Sequence, residues 1–175
     1  MAELPRGTVT LVFTDIEGST RLLASLGSRY KAVLADHRRL LRAAFSSHQG
    51  IEVDTQGDAL FYAFPRAQDA VTAAIEAQRV LSSHDFGEGV GLRVRMAIHT
   101  GEPSVSDEGY VGSDVHLGAR ISAVAWGGQI VVSSATAALV GGARDEVSLR
   151  SLGEHALKDI DDRIELHQVV APGLE

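Results

Sequence analysis

The chain has 175 residues and a mass of 18.6 kDa, of which 45% are hydrophobic and 22% charged. This size and composition predict a single globular domain over residues 1–175, with its core at about 8–170, and exclude a disordered or low-complexity chain. The balance of 16 Lys and Arg against 23 Asp and Glu gives a net charge of −7, the wrong sign for a protein that binds nucleic acid or an anionic membrane through a basic surface.

The N-terminal third predicts a buried strand followed by a long helix. Residues 8–14 are apolar or β-branched at both odd and even positions, a pattern typical of a central strand that is covered on both faces and that ends at Asp15. After the small-residue turn Gly18-Ser19-Thr20, apolar residues recur at helical spacing up to a stop near Gly50. Gly27 is expected to kink or split this helix.

The middle of the chain predicts a hairpin, a second helix and a further strand. Residues 51–54 and 59–64 read as two short strands joined by a turn that contains glycine. Apolar residues at helical spacing over 67–81 predict an amphipathic helix, and a glycine-rich loop follows over 84–91. Alternating residues over 92–98 predict the fourth strand.

The last part of the chain continues this alternation of strands and helices. The polar stretch 100–109 is expected to form an extended loop or hairpin arm, and 115–125 a helix. A buried strand over 129–132 and a short helix over 135–140 come next, and the tail 147–170 predicts two or three strands. Strands that alternate with helices but also form hairpins predict an α/β (α+β) fold with a mixed sheet.

Several common functional sites are absent from the sequence. It contains no P-loop, no nucleophile elbow and no His-Glu-x-x-His pair. The lack of Cys excludes disulfides, thiolate nucleophiles and Cys-based metal sites. The first residues lack the basic start and apolar run of a signal peptide, and no apolar stretch reaches the length of a membrane span. We therefore expect a cytoplasmic protein without a membrane segment.

Two acidic residues stand at the ends of predicted strands, Asp15 after the first strand and Asp58 after Gly57 in the hairpin turn. Carboxylates at neighbouring strand ends are suitable ligands for Mg²⁺, and two such ions about 4 Å apart promote phosphoryl transfer. The turn Gly18-Ser19-Thr20 opens a helix whose unpaired N–H groups and dipole favour a polyphosphate. From these residues alone, a metal site and an ordinary turn or cap role both remain open.

Four blocks of sequence, taken in their order, carry a resemblance to a known family. They are Phe13-Thr14-Asp15-Ile16-Glu17-Gly18-Ser19-Thr20, Thr55-Gln56-Gly57-Asp58-Ala59, Arg95-Met96-Ala97-Ile98-His99-Thr100-Gly101, and Gly112-x-x-Val115-x-Leu117-x-Ala119-Arg120 with Gly128-Gln129-Ile130-Val131-Val132-Ser133. In order and spacing they resemble the catalytic domain of class III adenylate/guanylate cyclases. The resemblance runs from about Thr8 into the C-terminal tail.

The resemblance implies a ferredoxin-like mixed sheet flanked by helices, and a homodimer that binds a nucleoside triphosphate at the subunit interface. It assigns two divalent cations, Mg²⁺ or Mn²⁺, to Asp15, Asp58 and the Ile16 carbonyl. The family pattern also implies phosphate contacts from the turn Gly18, Ser19 and Thr20 and from Lys158. It implies that the partner subunit supplies a transition-state arginine, Arg120. Without the resemblance, Arg120 would be read as a surface ion pair.

Three positions depart from the family pattern. Asp54 stands where adenylate cyclases carry a base-selecting Lys, and a carboxylate accepts hydrogen bonds from a base that presents N–H donors, such as guanine. The second base-selecting position falls on or near Gly109, which has no side chain. His116 replaces the ribose-orienting Asn, where it either donates a hydrogen bond or merely packs.

The sequence therefore predicts a nucleotidyl cyclase that converts ATP or GTP to the 3′,5′-cyclic nucleotide and pyrophosphate by two-metal catalysis. Two alternatives stay open. One is a catalytically weak or inactive cyclase-like domain that binds nucleotide and dimerises for regulation. The other is a cyclase for pyrimidine nucleotides, since a carboxylate also accepts from the cytosine amino group.

Overall fold

The computed structural model describes residues 3–87, 89–141 and 146–174, and within them it forms a sheet of seven strands flanked by helices. The sheet strands are β1 (Val9–Ile16), β2 (Ile51–Gln56), β3 (Ala59–Phe64), β4 (Val94–Gly101), β7 (Ile130–Ser133), β8 (Ser148–His155) and β9 (Ile164–Val170), and a separate arm is made by β5 (Ser104–Ser106) and β6 (Gly109–Val111). The helices are α1 (Ser19–Leu26), α2 (Tyr30–Ser46), α3 (Ala67–Ser83), α4 (Ser113–Val124) and α5 (Ser134–Val140).

The strand order across the sheet is β2-β3-β1-β4-β7-β9-β8. β4 and β7 run parallel, and all the other neighbouring pairs are antiparallel. β1 lies between β3 and β4, and its first residues are buried on both faces, as the sequence predicted. The predicted mixed α+β sheet is therefore confirmed.

The two faces of the sheet are covered by different elements. Side chains alternate along β4, so that Met96 and Ile98 join the larger core with α2 and α3, while Ala97 packs under α4 with Ile121. The β5–β6 arm contributes Tyr110 to a smaller cluster on the α4 face, beside β1 and β3. The ends of β1 and of the β2–β3 hairpin thus lie between two helical layers.

The predicted break in the first helix is confirmed. α1 ends at Leu26, a 3₁₀ turn covers Gly27–Arg29, and α2 begins at Tyr30. α1 buries no residue completely, whereas α2 inserts several side chains into the core. The break lets α1 lie at the edge of the sheet while α2 packs across it.

Some predicted boundaries were wrong. β4 begins at Val94 rather than at residue 92 and continues beyond 98 to Gly101, because β1 pairs with it along its whole length, from Ile16 opposite Val94 to Val9 opposite Gly101. The polar stretch 100–109 does contain a hairpin arm, and the tail forms two strands. Residue 88, in the predicted loop 84–91, lies outside the described residues. Within the described chain, no helix has the length and apolar character needed to cross a bilayer.

Candidate active site

Asp15 and Asp58 line the same cavity, although they are far apart in the sequence. Ile16, which follows Asp15 directly, lies 42 residues before Asp58. The cavity has a volume of about 580 Å³ and lies where β1 and the β2–β3 turn end side by side. Ile16, Gly18, Ser19 and Thr20 also line it. The structure thus brings together the residues predicted to bind metal ions and the Gly18-Ser19-Thr20 turn predicted to bind the triphosphate, but not Lys158, which was also predicted to contact the phosphates.

The Asp58 carboxylate is held in place by the backbone of β1. Its Oδ2 accepts a hydrogen bond from the Ile16 N–H at 2.7 Å. Gly57 precedes it with φ of 57°, a left-handed conformation that favours glycine, so the turn can reverse tightly. Arg38 on α2 donates to the Gly57 carbonyl. The hairpin turn is therefore fixed from both sides, which gives Asp58 a defined direction.

The Asp15 carboxylate is paired with Arg95. The guanidinium donates two parallel hydrogen bonds, Nε to Oδ1 and Nη2 to Oδ2, each of 2.6 Å. The two residues face each other across β1 and β4, and each side chain is 26% exposed. These hydrogen bonds raise the pKa of Arg95 above its ordinary value. Arg95 had no predicted role, because its pairing with Asp15 depends on the register between β1 and β4.

The N-terminus of α1 opens onto this cavity. Gly18 is the residue before the helix and has φ of 68°, and no side chain caps the first turn. The first N–H groups of a helix have no partner within the helix, and its dipole places partial positive charge there. The first turn therefore offers anion-binding groups about the same cavity as Asp15 and Asp58.

A second cavity of about 260 Å³ adjoins the first and shares Asp15 and Ala59 with it. Its floor includes the rings of Phe13 and Phe61, which stack with their centroids 4.3 Å apart. Asp54 lies at the edge of this cavity, and α4 supplies small side chains to its wall. A flat, largely apolar cavity with a polar edge, next to an anion-binding turn, is suited to a nucleotide base.

Asp54 already accepts two hydrogen bonds within its own hairpin. Its Oδ1 accepts from the Thr55 N–H at 2.9 Å and its Oδ2 from the Gln56 amide at 3.0 Å. Each carboxylate oxygen keeps a further lone pair, so Asp54 can still accept from a ligand. Gly109 does not line this cavity but lies beside β2, where an added Cβ would approach Val53 Cγ1 to 3.4 Å.

Arg120, His116 and Lys158 line neither cavity of this subunit. Arg120 Nη2 instead donates to Asp159 Oδ2 at 2.8 Å, and Asp159 follows Lys158 directly. His116 is exposed on α4, one helical turn before Arg120. The predicted metal, phosphate and transition-state residues are therefore separated within one chain, with Asp15, Asp58 and the phosphate turn at one place and Arg120, His116 and Lys158 at another.

The first group fits a divalent cation. Among the described residues, no three His, Asp or Glu gather into a complete metal-binding cluster. Mg²⁺, however, is commonly held by one or two carboxylates with its remaining positions filled by water and substrate phosphates. The two carboxylates and the nearby Ile16 carbonyl make up such a donor set, and the adjacent anion-binding turn is suited to the phosphates that would complete the shell.

Comparison with known proteins gives consistent matches. The family model of the adenylate and guanylate cyclase catalytic domain matches residues 1–171. An uncharacterized protein of Mycobacterium tuberculosis is 35% identical over 159 residues, which cover 89% of this chain and 53% of that protein. Receptor-type adenylate cyclase B of Leishmania donovani is 32% identical over 209 residues, covering 94% of this chain and 16% of that protein. The chain thus spans about half, or much less, of these relatives.

Solved structures match over nearly the whole chain. A structure described as an adenylate cyclase from Trypanosoma brucei in its monomeric state superposes with a TM-score of 0.89 at 28% identity, covering 99% of this chain and 94% of that one. The guanylate cyclase domain from Catenaria anguillulae in complex with GTP superposes with a TM-score of 0.82 at 20% identity, covering 94% and 96%. At that lower identity the likeness concerns the fold alone.

Proposed function

Because this chain belongs to the adenylate and guanylate cyclase catalytic domain family, we propose that it converts ATP or GTP into the 3′,5′-cyclic nucleotide and pyrophosphate. The observation that carries the proposal is the cavity where Asp15, Asp58 and the first turn of α1 meet. It adjoins the cavity floored by Phe13 and Phe61, so that groups suited to the phosphates and to the base lie side by side.

The proposed roles follow from the chemistry of each group. Mg²⁺ or Mn²⁺ ions held by Asp15, Asp58 and the Ile16 carbonyl would supply Lewis-acid chemistry, lowering the pKa of the ribose 3′-hydroxyl and balancing charge on the phosphates. The N–H groups of the α1 first turn bind the outer phosphates. Arg95 balances the charge of Asp15 and offers donors beside the same cavity.

In the reaction, the ribose 3′-oxygen forms a bond to the α-phosphorus while the bond to pyrophosphate breaks, and the proton of the 3′-hydroxyl passes to solvent water. Negative charge builds on the phosphoryl oxygens, and a guanidinium aimed at them lowers the barrier. We assign this role to Arg120 of the partner subunit. We likewise propose that His116 of the partner subunit donates one hydrogen bond to the ribose and that Lys158 of the partner subunit contacts the phosphates.

The separation of the two groups of residues supports a homodimer. In a two-fold dimer, every contact from one residue of the first subunit to another residue of the second is repeated in the opposite direction. If α4 of each subunit covers the cavities of the other, the dimer gains two equivalent composite sites. Each site then takes its carboxylates from one chain and Arg120 from the other.

The base preference follows from the acceptor character of Asp54. A carboxylate that already accepts from Thr55 and Gln56 receives further hydrogen bonds from base N–H groups, such as those of guanine, and repels base acceptors. Gly109 adds no side-chain contact. We therefore expect a preference for guanine that is weak, because only Asp54 of the two base-selecting positions contacts the base. The chemistry at the phosphates does not depend on this preference.

A mixing experiment tests the shared site. Asp58→Asn and Arg120→Ala chains are each expected to lose nearly all pyrophosphate release, because every site in either homodimer lacks one essential group. Mixed in equal amounts, half of the dimers are heterodimers and each has one intact site of two, so about a quarter of the wild-type activity should return. Folded variants that give no recovery would contradict the shared site, and full activity of Asp58→Asn alone would contradict its assignment.

A further inference from the structure

A short turn at residues 157–160 is anchored against α4. Leu157 is buried in the same cluster as Ile121 of α4, and Ile160 packs against that cluster. The Ile160 N–H donates to the Leu157 carbonyl at 3.2 Å, which closes the turn. The two residues between these anchors, Lys158 and Asp159, are both exposed. The turn therefore presents two charged side chains at a fixed place beside α4.

Asp159 has an unusual backbone conformation for a residue with a side chain. Its φ is 63°, in the left-handed region that Asn and Asp tolerate better than most other residues. In this conformation its Oδ2 accepts the 2.8 Å hydrogen bond from Arg120 Nη2. The left-handed turn thus places a carboxylate directly against the guanidinium of Arg120.

Few contacts other than the hydrogen bond to Asp159 hold the Arg120 side chain in one orientation. Its side chain is 29% exposed, and its Nε is buried without a hydrogen-bond partner among the described residues. An arginine side chain has many rotamers, and fixing one of them costs conformational entropy. The partner carboxylate is itself 55% exposed, so this ion pair adds little to the stability of the fold. Its physical consequence is the direction in which the guanidinium points.

We propose that Asp159 is a positioning residue for Arg120, holding its guanidinium beside Lys158 so that the chain presents both cations together to a triphosphate bound by the other subunit. This inference rests on the proposed function. The alternative is that the ion pair with Asp159 keeps Arg120 away from the substrate. The two arrangements predict opposite changes in turnover, because removing a positioning carboxylate slows turnover and removing an inhibitory one speeds it.

The mixture of Asp58→Asn and Arg120→Ala chains allows a matched test. In its one intact site, the Asp58→Asn chain supplies Arg120 and the Arg120→Ala chain supplies Asp58. Asp159→Asn is added either to the chain that supplies Arg120 or to the chain that lacks it. Asn keeps the shape and tolerates the left-handed backbone but removes the charge. Both mixtures contain the same substitutions, so a general effect on folding or dimerisation is shared between them.

We expect kcat to fall about threefold to tenfold when Asp159→Asn lies in the chain that supplies Arg120, with KM changed less than about twofold, because Arg120 acts mainly on charge that develops in the transition state. The mixture with Asp159→Asn in the other chain should match the parent mixture. Equal effects in both mixtures, no effect in either, or a higher kcat in the first would overturn the assignment. An inactive parent mixture of folded dimers would contradict the shared site, and this assignment with it, whereas an inactive wild-type protein would overturn the proposed function itself.

Discussion

His37 lies in the middle of α2 with its imidazole fully buried. In the described part of the chain neither ring nitrogen has a well-aligned hydrogen-bond partner, and the backbone of Leu34, one turn earlier, offers only a weak one. Burial lowers the pKa of His37 from 6.5 to about 4, and the nearby Asp58 carboxylate opposes this shift only in part. The side chain is therefore neutral at pH 7 and acts as a core residue beneath the hairpin that carries Asp58.

This buried histidine makes the fold sensitive to acid. Between about pH 6.5 and pH 4 the unfolded chain binds a proton at His37 that the folded chain does not, so the free energy of unfolding falls as the pH falls through this range. A shift from 6.5 to about 4 corresponds to about 3 kcal/mol at 1.36 kcal/mol per pKa unit. We expect His37→Leu to lose this dependence. Urea unfolding of both proteins at about pH 7.5 and 4.5 measures this dependence. An equal fall in the free energy of unfolding in the two proteins would contradict the prediction.

At the residue scale, Asp15, Asp58 and the Gly18 turn could be predicted because each lies within a short continuous motif. Arg95 lies within such a motif too, but its pairing with Asp15 depends on the register between β1 and β4, which the linear sequence does not state. The contact between Arg120 and Asp159 also joins distant segments, 39 residues apart. Both ion pairs join residues that only the tertiary structure brings together, so the sequence did not predict them.

At the element scale, α4 approaches β1 closely at Gly118. A Cβ added at Gly118 would lie 2.3 Å from a ring carbon of Phe13, and that ring is stacked on Phe61. The ring cannot move aside without losing its stacking partner. Glycine at this position therefore allows the helix that bears Arg120 to rest directly on β1, the strand that carries Asp15.

We predict that Gly118→Ala lowers the free energy of unfolding by about 1–3 kcal/mol, the usual cost of overpacking a close contact. Helix propensity alone predicts the opposite sign, since Ala is favoured over Gly by about 1 kcal/mol within a helix. Ala123→Gly, on the exposed face of α4, is the matched control and should cost about that amount. Urea unfolding decides between the signs, and a stabilised Gly118→Ala protein would refute the close packing.

The elements themselves were largely predictable, because apolar periodicity and glycine breaks are local signals. The extension of β4 was missed because His99 and Thr100 look like loop residues in the sequence. In the fold they are buried with hydrogen-bond partners, since His99 Nδ1 lies 2.7 Å from Ser133 Oγ and Thr100 Oγ1 lies 3.0 Å from Thr10 Oγ1. Polar residues become compatible with a buried strand once neighbouring strands and helices supply hydrogen-bond partners for their side chains.

At the scale of the whole molecule, the predicted metal-binding and transition-state residues lie on two separate parts of the surface. The carboxylates Asp15 and Asp58 share one cavity with the phosphate turn, while Arg120 and Lys158 lie outside it. The net charge of −7 repels an anionic nucleotide, and Arg95 in the cavity is already paired with Asp15, so further cations at the site would favour binding. Divalent ions and the partner subunit's Arg120 are the two sources that the proposal supplies.

The measurement that tests this account most directly is mass spectrometry of the products formed from ATP, GTP, CTP and UTP, each incubated separately with the purified protein and Mg²⁺ or Mn²⁺. The account predicts a 3′,5′-cyclic nucleotide from ATP or GTP, and none when Asp58→Asn replaces the wild-type chain. The absence of a cyclic product from all four triphosphates, with a folded dimer confirmed, would contradict the account and leave a cyclase-like domain that binds without turnover.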